Sequence, residues 1–149
     1  MSTKYKQFQQ GIYNPINKNK YVGVNLPKYR SSYELKFFRF LDNNTNVIKW
    51  GSESIAIPYI SPVDNRVHHY FPDNIVKIKE GNVITTYVIE IKPQKQTQPP
   101  SVKNRKSQKR VLFEQIQFAV NNAKWKAASE WCNKTGMKFQ LITETELKI

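Results

Sequence analysis

The chain has 149 residues, 39% apolar and 13% aromatic, with one cysteine and a formal net charge of +13. That length suits a single domain with a real core, and the aromatic content excludes a globally disordered chain. The charge favours a polyanion as partner, nucleic acid first, and a membrane partner is disfavoured because no stretch approaches the roughly 20 apolar residues of a span.

No apolar h-region follows Met1, so no signal peptide is expected. The lone Cys132 can form neither an internal disulfide nor a zinc cluster, and is expected as a small buried hydrophobe in a reducing interior. Residues 1–28 are rich in Lys, Asn and Gln, are punctuated by Gly11, Pro15, Gly23 and Pro27, and show no helical or strand period. They predict an extended basic arm that a partner would order, leaving residues 29–149 as one domain.

Ser31 followed by Glu34 is a capping box and opens a helix that runs to about Asp42, closed by Asn43-Asn44. Leu35, Phe37, Phe38, Phe40 and Leu41 supply its apolar face. Glu34, Phe38 and Leu41 stand at i, i+4 and i+7, which turns Glu34 toward the core side. Val47 to Trp50 and Ser54 to Ile60 read as strands. Residues 61–65 carry turn chemistry, and Val67 to Phe71 return as a further strand. His68 and His69 are adjacent, point to opposite faces and read as ordinary polar strand residues.

From Tyr70 to Lys92 the sequence YFPDNIVKIKEGNVITTYVIEIK places two β-branched runs on either side of Gly81-Asn82, a two-residue hairpin turn. Pairing Glu80 with Val83 brings Asp73 opposite Glu90, with Cβ atoms about 5 Å apart. Glu90 and Lys92 then share a face, roughly 7 Å apart along the strand. A slip of one residue would destroy this arrangement. A chain with only 11 acids thus sets two of them face to face inside apolar runs, and a bound cation is the simplest physical reason.

Pro93 stops this strand and opens a Pro/Gln/Lys-rich loop over about 93–107. Between Glu90 and Glu114 stand seven basic residues and no acid, and the first 33 residues carry six more, so over half of the Lys and Arg lie in two windows. Lys95, Lys103, Arg105, Lys106, Lys109 and Arg110 are the candidates for gripping a phosphate backbone. A long helix is predicted from about Ser107 to Lys134, kinked near Asn121-Asn122, with Leu112, Ile116, Ala119, Ala123, Ala127 and Trp131 as its buried stripe. Thr135-Gly136 stops it. Met137 to Thr143 reads as a strand parallel to the Glu90 strand through the helical crossover, and Thr143 with Glu146 caps a last short helix. Phe37, Phe38, Phe40, Trp125 and Trp131 are expected in the core.

Glu34, Asp73, Glu90 and Lys92 therefore converge. Carboxylate oxygens are the hard ligands that Mg²⁺ or Mn²⁺ prefers. A metal on Asp73 and Glu90 could polarise a phosphodiester oxygen and activate a bound water, with Lys92 orienting that water or stabilising charge on the phosphate.

The stretches YRSSYELKFFRFLD, VIKW, IPYISPVDNRVHHYFPD, VIEIKP and NNAKWKAASEWCNKTG together resemble the head-completion nucleases of T-even-type tailed bacteriophages, within the PD-(D/E)xK nuclease superfamily, over roughly residues 10–147. The resemblance implies an α/β fold, a restriction-endonuclease-like mixed β-sheet flanked by helices, and a Mg²⁺- or Mn²⁺-dependent DNA endonuclease. It makes Glu34 the helix-borne acid, Asp73 the metal-binding aspartate, and Glu90 with Lys92 the (D/E)xK pair. Double-stranded DNA and head or portal-vertex proteins are the implied partners, and the host cytoplasm during assembly, or the virion head, the implied location. Residues 94–108 match no family motif, so their DNA role rests on charge alone. Two other readings stay open: a non-catalytic DNA-binding connector protein of the phage head on the same fold, and a junction-resolving or repair nuclease.

Overall fold

The computed structural model describes residues 10–101 and 107–147. In chain order the elements are β1 (Gly11–Ile12), β2 (Lys28–Tyr29), α1 (Ser32–Asn43), β3 (Val47–Ser52), β4 (Ile57–Ile60), β5 (Val67–Tyr70), β6 (Asn74–Glu80), β7 (Val83–Ile91), a 3-10 turn (Gln94–Thr97), α2 (Gln108–Thr135), β8 (Lys138–Ile142) and α3 (Glu144–Leu147).

The β6–β7 hairpin is the centre of a four-stranded sheet ordered β3-β6-β7-β8. Gly81 turns it at φ +64°, a conformation that costs a residue with a Cβ about 1–2 kcal/mol. Glu80 pairs with Val83 and Asn74 with Ile89, so the expected register holds along the whole hairpin. β3 and β7 flank β6 antiparallel, and β8 joins β7 in parallel after α2, with Glu90 beside Leu141. The sheet is mixed, as expected of this α/β chain. β4 and β5 form a separate two-stranded sheet, and β4 begins only at Ile57, three residues later than its sequence suggests.

Strand alternation divides β7 between two cores. Ile89 and Ile91 pack with Phe37, Phe38, Leu41, Val47, Trp50 and Val76 on the α1 side. Val88 packs with Ile57, Tyr59, Tyr70, Trp125, Ala128 and Cys132 on the α2 side. Cys132 is buried as a small hydrophobe. Of the five aromatics expected inside, Phe37, Phe38 and Trp125 are buried, Trp131 is partly so, and Phe40 stays 49% exposed.

Two expectations need correction. α2 is a single 28-residue helix running through Asn121-Asn122, and the N-terminal half of its expected stripe is not buried, whereas Ala123, Ala127 and Trp131 are half-buried against the core as expected. Leu112, Ile116 and Ala119 are exposed, whereas Trp125, Ala128 and Cys132 are buried. Its fully buried residues all lie in the C-terminal half, and the helix packs on β4 and β8.

The second correction concerns the chain before α1. From residue 10 it is held against this domain by contacts within the chain. β1 pairs with β2, and Tyr21 bridges to Trp50. The anchor is Asp42, 1% exposed, whose carboxylate accepts from the Tyr13 hydroxyl (2.5 Å), the Ile16 amide (2.7 Å) and the Asn17 amide (2.9 Å). Burial alone would raise its pKa, but these donors outweigh burial and hold it below the usual range.

Candidate active site

α1 starts where its capping residues dictate. Ser31 Oγ accepts from the Glu34 amide at 3.2 Å. The Glu34 carboxylate reaches back to the Arg30 amide (3.3 Å), one residue before the cap, and to Ser31 Oγ (3.2 Å). Glu34 thus sits at the N-terminal end of the Phe38–Leu41 stripe, where α1 meets the end of the sheet.

The hairpin supplies the other groups. Pro72 is fully buried, and Asp73 follows it immediately before β6. The Asp73 amide donates to Glu90 Oε1 (3.2 Å), and Asp73 Oδ2 accepts from the Ile91 amide (2.7 Å). Each acid is therefore held by the other's strand. Glu90 is 6% exposed, and Lys92 Nζ lies 3.8 Å from its Oε2.

Electrostatics show what this proximity costs. Burial, then the Asp73 charge, pushes the Glu90 carboxyl up to about 8, against the opposing pull of Lys92. Burial pushes Asp73 upward too, partly offset by the Ile91 amide and Lys92, while the charge of Glu53 adds to the rise. Glu34 is raised to about 7 by burial and by Asp73. Three acids thus hold their protons more tightly than in water because burial and mutual repulsion disfavour their ionised forms.

Sequence reasoning missed four residues here. Glu53, at φ +50°, hydrogen-bonds through its amide to the Asp73 carbonyl (3.1 Å) and forms an ion pair with Arg30. The buried Tyr70 hydroxyl faces Glu90, whose charge raises its pKa after burial itself, yet it makes no well-formed hydrogen bond. Lys124 of α2 stands 5.9 Å from the Tyr59 ring centre and 5.7 Å from that of Tyr70. Tertiary folding brings Glu53 and Lys124 to the hairpin, whereas Arg30 and Tyr70 lie within four residues of Glu34 and Asp73 in the chain; no motif marks any of the four.

The basic candidates divide. Lys95 and Arg110 line one cleft together with Lys92. Lys109 is exposed on the first turn of α2 and is not among that cleft's lining residues. Lys103, Arg105 and Lys106 lie outside the described residues. His68 pairs with Asp64 at 2.9 Å on the exposed edge of β5.

Among the described residues no three His, Cys, Asp or Glu side chains close into a ready-made metal cage. The donor set that is present, two opposed carboxylates with raised pKa values and a third nearby, still fits a hard divalent ion that keeps several waters and takes only one or two protein carboxylates.

A mixed sheet with opposed acids and a lysine at one end of a hairpin has the chemistry that phosphodiester cleavage needs, and sequence comparison identifies the family. The model of TnsA-like endonuclease N-terminal domains matches residues 44–144, more than half of the chain and a span that includes Asp73, Glu90 and Lys92 but begins after Glu34. The chain belongs to this endonuclease family; its fold is restriction-endonuclease-like and it is a nuclease. It is also 41% identical over 145 residues, 93% of each chain, to the head completion nuclease of Enterobacteria phage T4. Both findings agree with the resemblance read from the motifs.

Proposed function

We propose that the chain is a divalent-metal-dependent DNA endonuclease, acting on phage DNA in the host cytoplasm during head completion. The carrying observation is the Asp73–Glu90 pair with Lys92 beside it, in a +13 chain. Asp73 and Glu90 would hold the metal, Mg²⁺ or Mn²⁺, with Glu34 as the third acid. When bound, it supplies Lewis-acid polarisation of the phosphodiester and a more acidic water.

The protein's own groups do the rest. The Ile91 amide fixes the rotamer of Asp73, and the Asp73 amide fixes that of Glu90, so both carboxylates are oriented before anything binds. Lys92 carries its ammonium at the same end of the strand, able to stabilise charge that develops on the phosphate. Lys95 and Arg110 add cations for the flanking backbone. Double-stranded DNA is the proposed substrate, with proteins of the head or portal vertex as partners.

The test is plasmid cleavage with Mg²⁺ or Mn²⁺ against a chelator control. Wild type should cut only with metal, Asp73→Ala should abolish cutting, and Lys92→Ala should slow it by about 10²–10³-fold, as loss of one transition-state charge stabiliser does. Both variants should keep the wild-type circular dichroism. Wild-type cutting by both would refute the assignment; salt-sensitive DNA binding without any product would replace it with the connector reading.

A further inference from the structure

A cleft of about 730 Å³ opens at the Lys92 end of the site, between residues 95–101 and α2 from Arg110 to Lys124. Lys95, Arg110 and Lys124 line it together with Lys92. The one acid among its described lining residues, Glu114, is paired with Arg110 at 3.0 Å. The ring of Phe113, 62% exposed, lines the same cleft. The floor connects to the acids, because Lys124 lies over the ring of Tyr70, whose hydroxyl faces Glu90.

Two features decide what such a cleft accepts. Its size falls within the roughly 300–1,000 Å³ of small-ligand pockets, which admits a nucleotide or two and not the body of a duplex. Its lining alternates cations with an aromatic ring. That combination holds single strands without regard to sequence, since every base has a face to stack and every linkage a phosphate to neutralise. We infer that the cleft receives one unpaired DNA strand, a base of it stacked on Phe113 and its phosphates on Lys95, Arg110 and Lys124, leading toward the linkage at Lys92. The inference rests on the nuclease reading and narrows its substrate to DNA that presents an unpaired stretch, such as a frayed end, a tail or a branch.

The test is fluorescence anisotropy in chelator, where nothing is cut, with a labelled oligothymidylate and a blunt duplex of equal length. Wild type should prefer the single strand. Phe113→Ala should weaken single-strand binding by about 5- to 150-fold, the effect of losing one stacked base, and Phe113→Trp should retain it. Leu112→Ala, an exposed neighbour that does not line the cleft, should change nothing. Equal affinity of wild type and Phe113→Ala for the oligothymidylate, or preference for the duplex, would overturn the inference. If Asp73-dependent cutting persisted alongside either result, the cleft assignment would fail while the nuclease reading stood.

Discussion

Opposed buried acids should make this protein less stable as pH rises when no divalent ion is present. Glu90 titrates near 8 in the folded chain against 4.5 when free. Below pH 4.5 it is protonated in both states and contributes no pH dependence. Between those values the unfolded chain loses its proton first, so folding stability falls with pH, and above 8 the loss is complete. At 1.36 kcal/mol per unit the gap is worth on the order of 3–5 kcal/mol, the lower end applying because Glu90 titrates jointly with Asp73. For a chain of this size that is about 10 °C in Tm. Glu90→Gln is nearly isosteric with the protonated acid, so it should match wild type near pH 5 and exceed it progressively toward pH 8.5. Urea unfolding in chelator across that range measures the difference. The variant should keep a shallower slope from Glu34, which is raised to about 7. Wild-type stability that is level or rising over this window, or a variant with an undiminished slope, would refute the opposed-acid picture.

Asp73→Asn keeps an oxygen for the Ile91 amide while removing a charge, so in chelator it should be neutral or stabilising; a loss above about 2 kcal/mol in urea unfolding would contradict this. Added Mg²⁺ should raise Tm more at pH 8 than at pH 6, because binding requires the acids deprotonated. Asp42→Ala should cost about 3–5 kcal/mol, since it leaves the Tyr13 hydroxyl and the Ile16 and Asn17 amides without their charged acceptor, and limited proteolysis should then cut within residues 10–20. Gly81→Ala meets no atom within 4 Å, so its cost, about 1–2 kcal/mol by urea unfolding, should be the left-handed backbone alone.

What was legible in the sequence was whatever local chemistry determines. A two-residue turn sets hairpin register, and register alone put Asp73 beside Glu90. Ser31, Ser107 and Gly136 bound their helices because capping acts within a few residues. The N-terminal half of the α2 stripe (Leu112, Ile116 and Ala119) failed for a geometric reason. A 28-residue helix is about 42 Å long and nine-residue β7 about 30 Å, so part of α2 overhangs the sheet however periodic its apolar residues are. The stretch before α1 looked structureless because Asp42 orders it with side-chain bonds to backbone amides, and such bonds leave no period to read. Glu53 and Lys124 reach the site only through tertiary packing, while Arg30 and Tyr70, close in sequence to Glu34 and Asp73, carry no motif that marks them.

Under the proposed function, the charges around the hairpin end would let metal and DNA bind without competing. Glu34, Glu53, Asp73 and Glu90, when ionised, carry four negative charges against two positive ones on Arg30 and Lys92, and each of these groups is close enough to perturb a neighbour. The excess of two is the charge of one divalent cation. Without it the site would repel a phosphate; with it the same end becomes neutral overall, and the rest of the chain, more positive than its +13 total by that local excess, continues to attract the backbone. On that reading, attraction would come from the cleft cations and permission to approach the acids from the metal, separating the binding of DNA from the cutting of it.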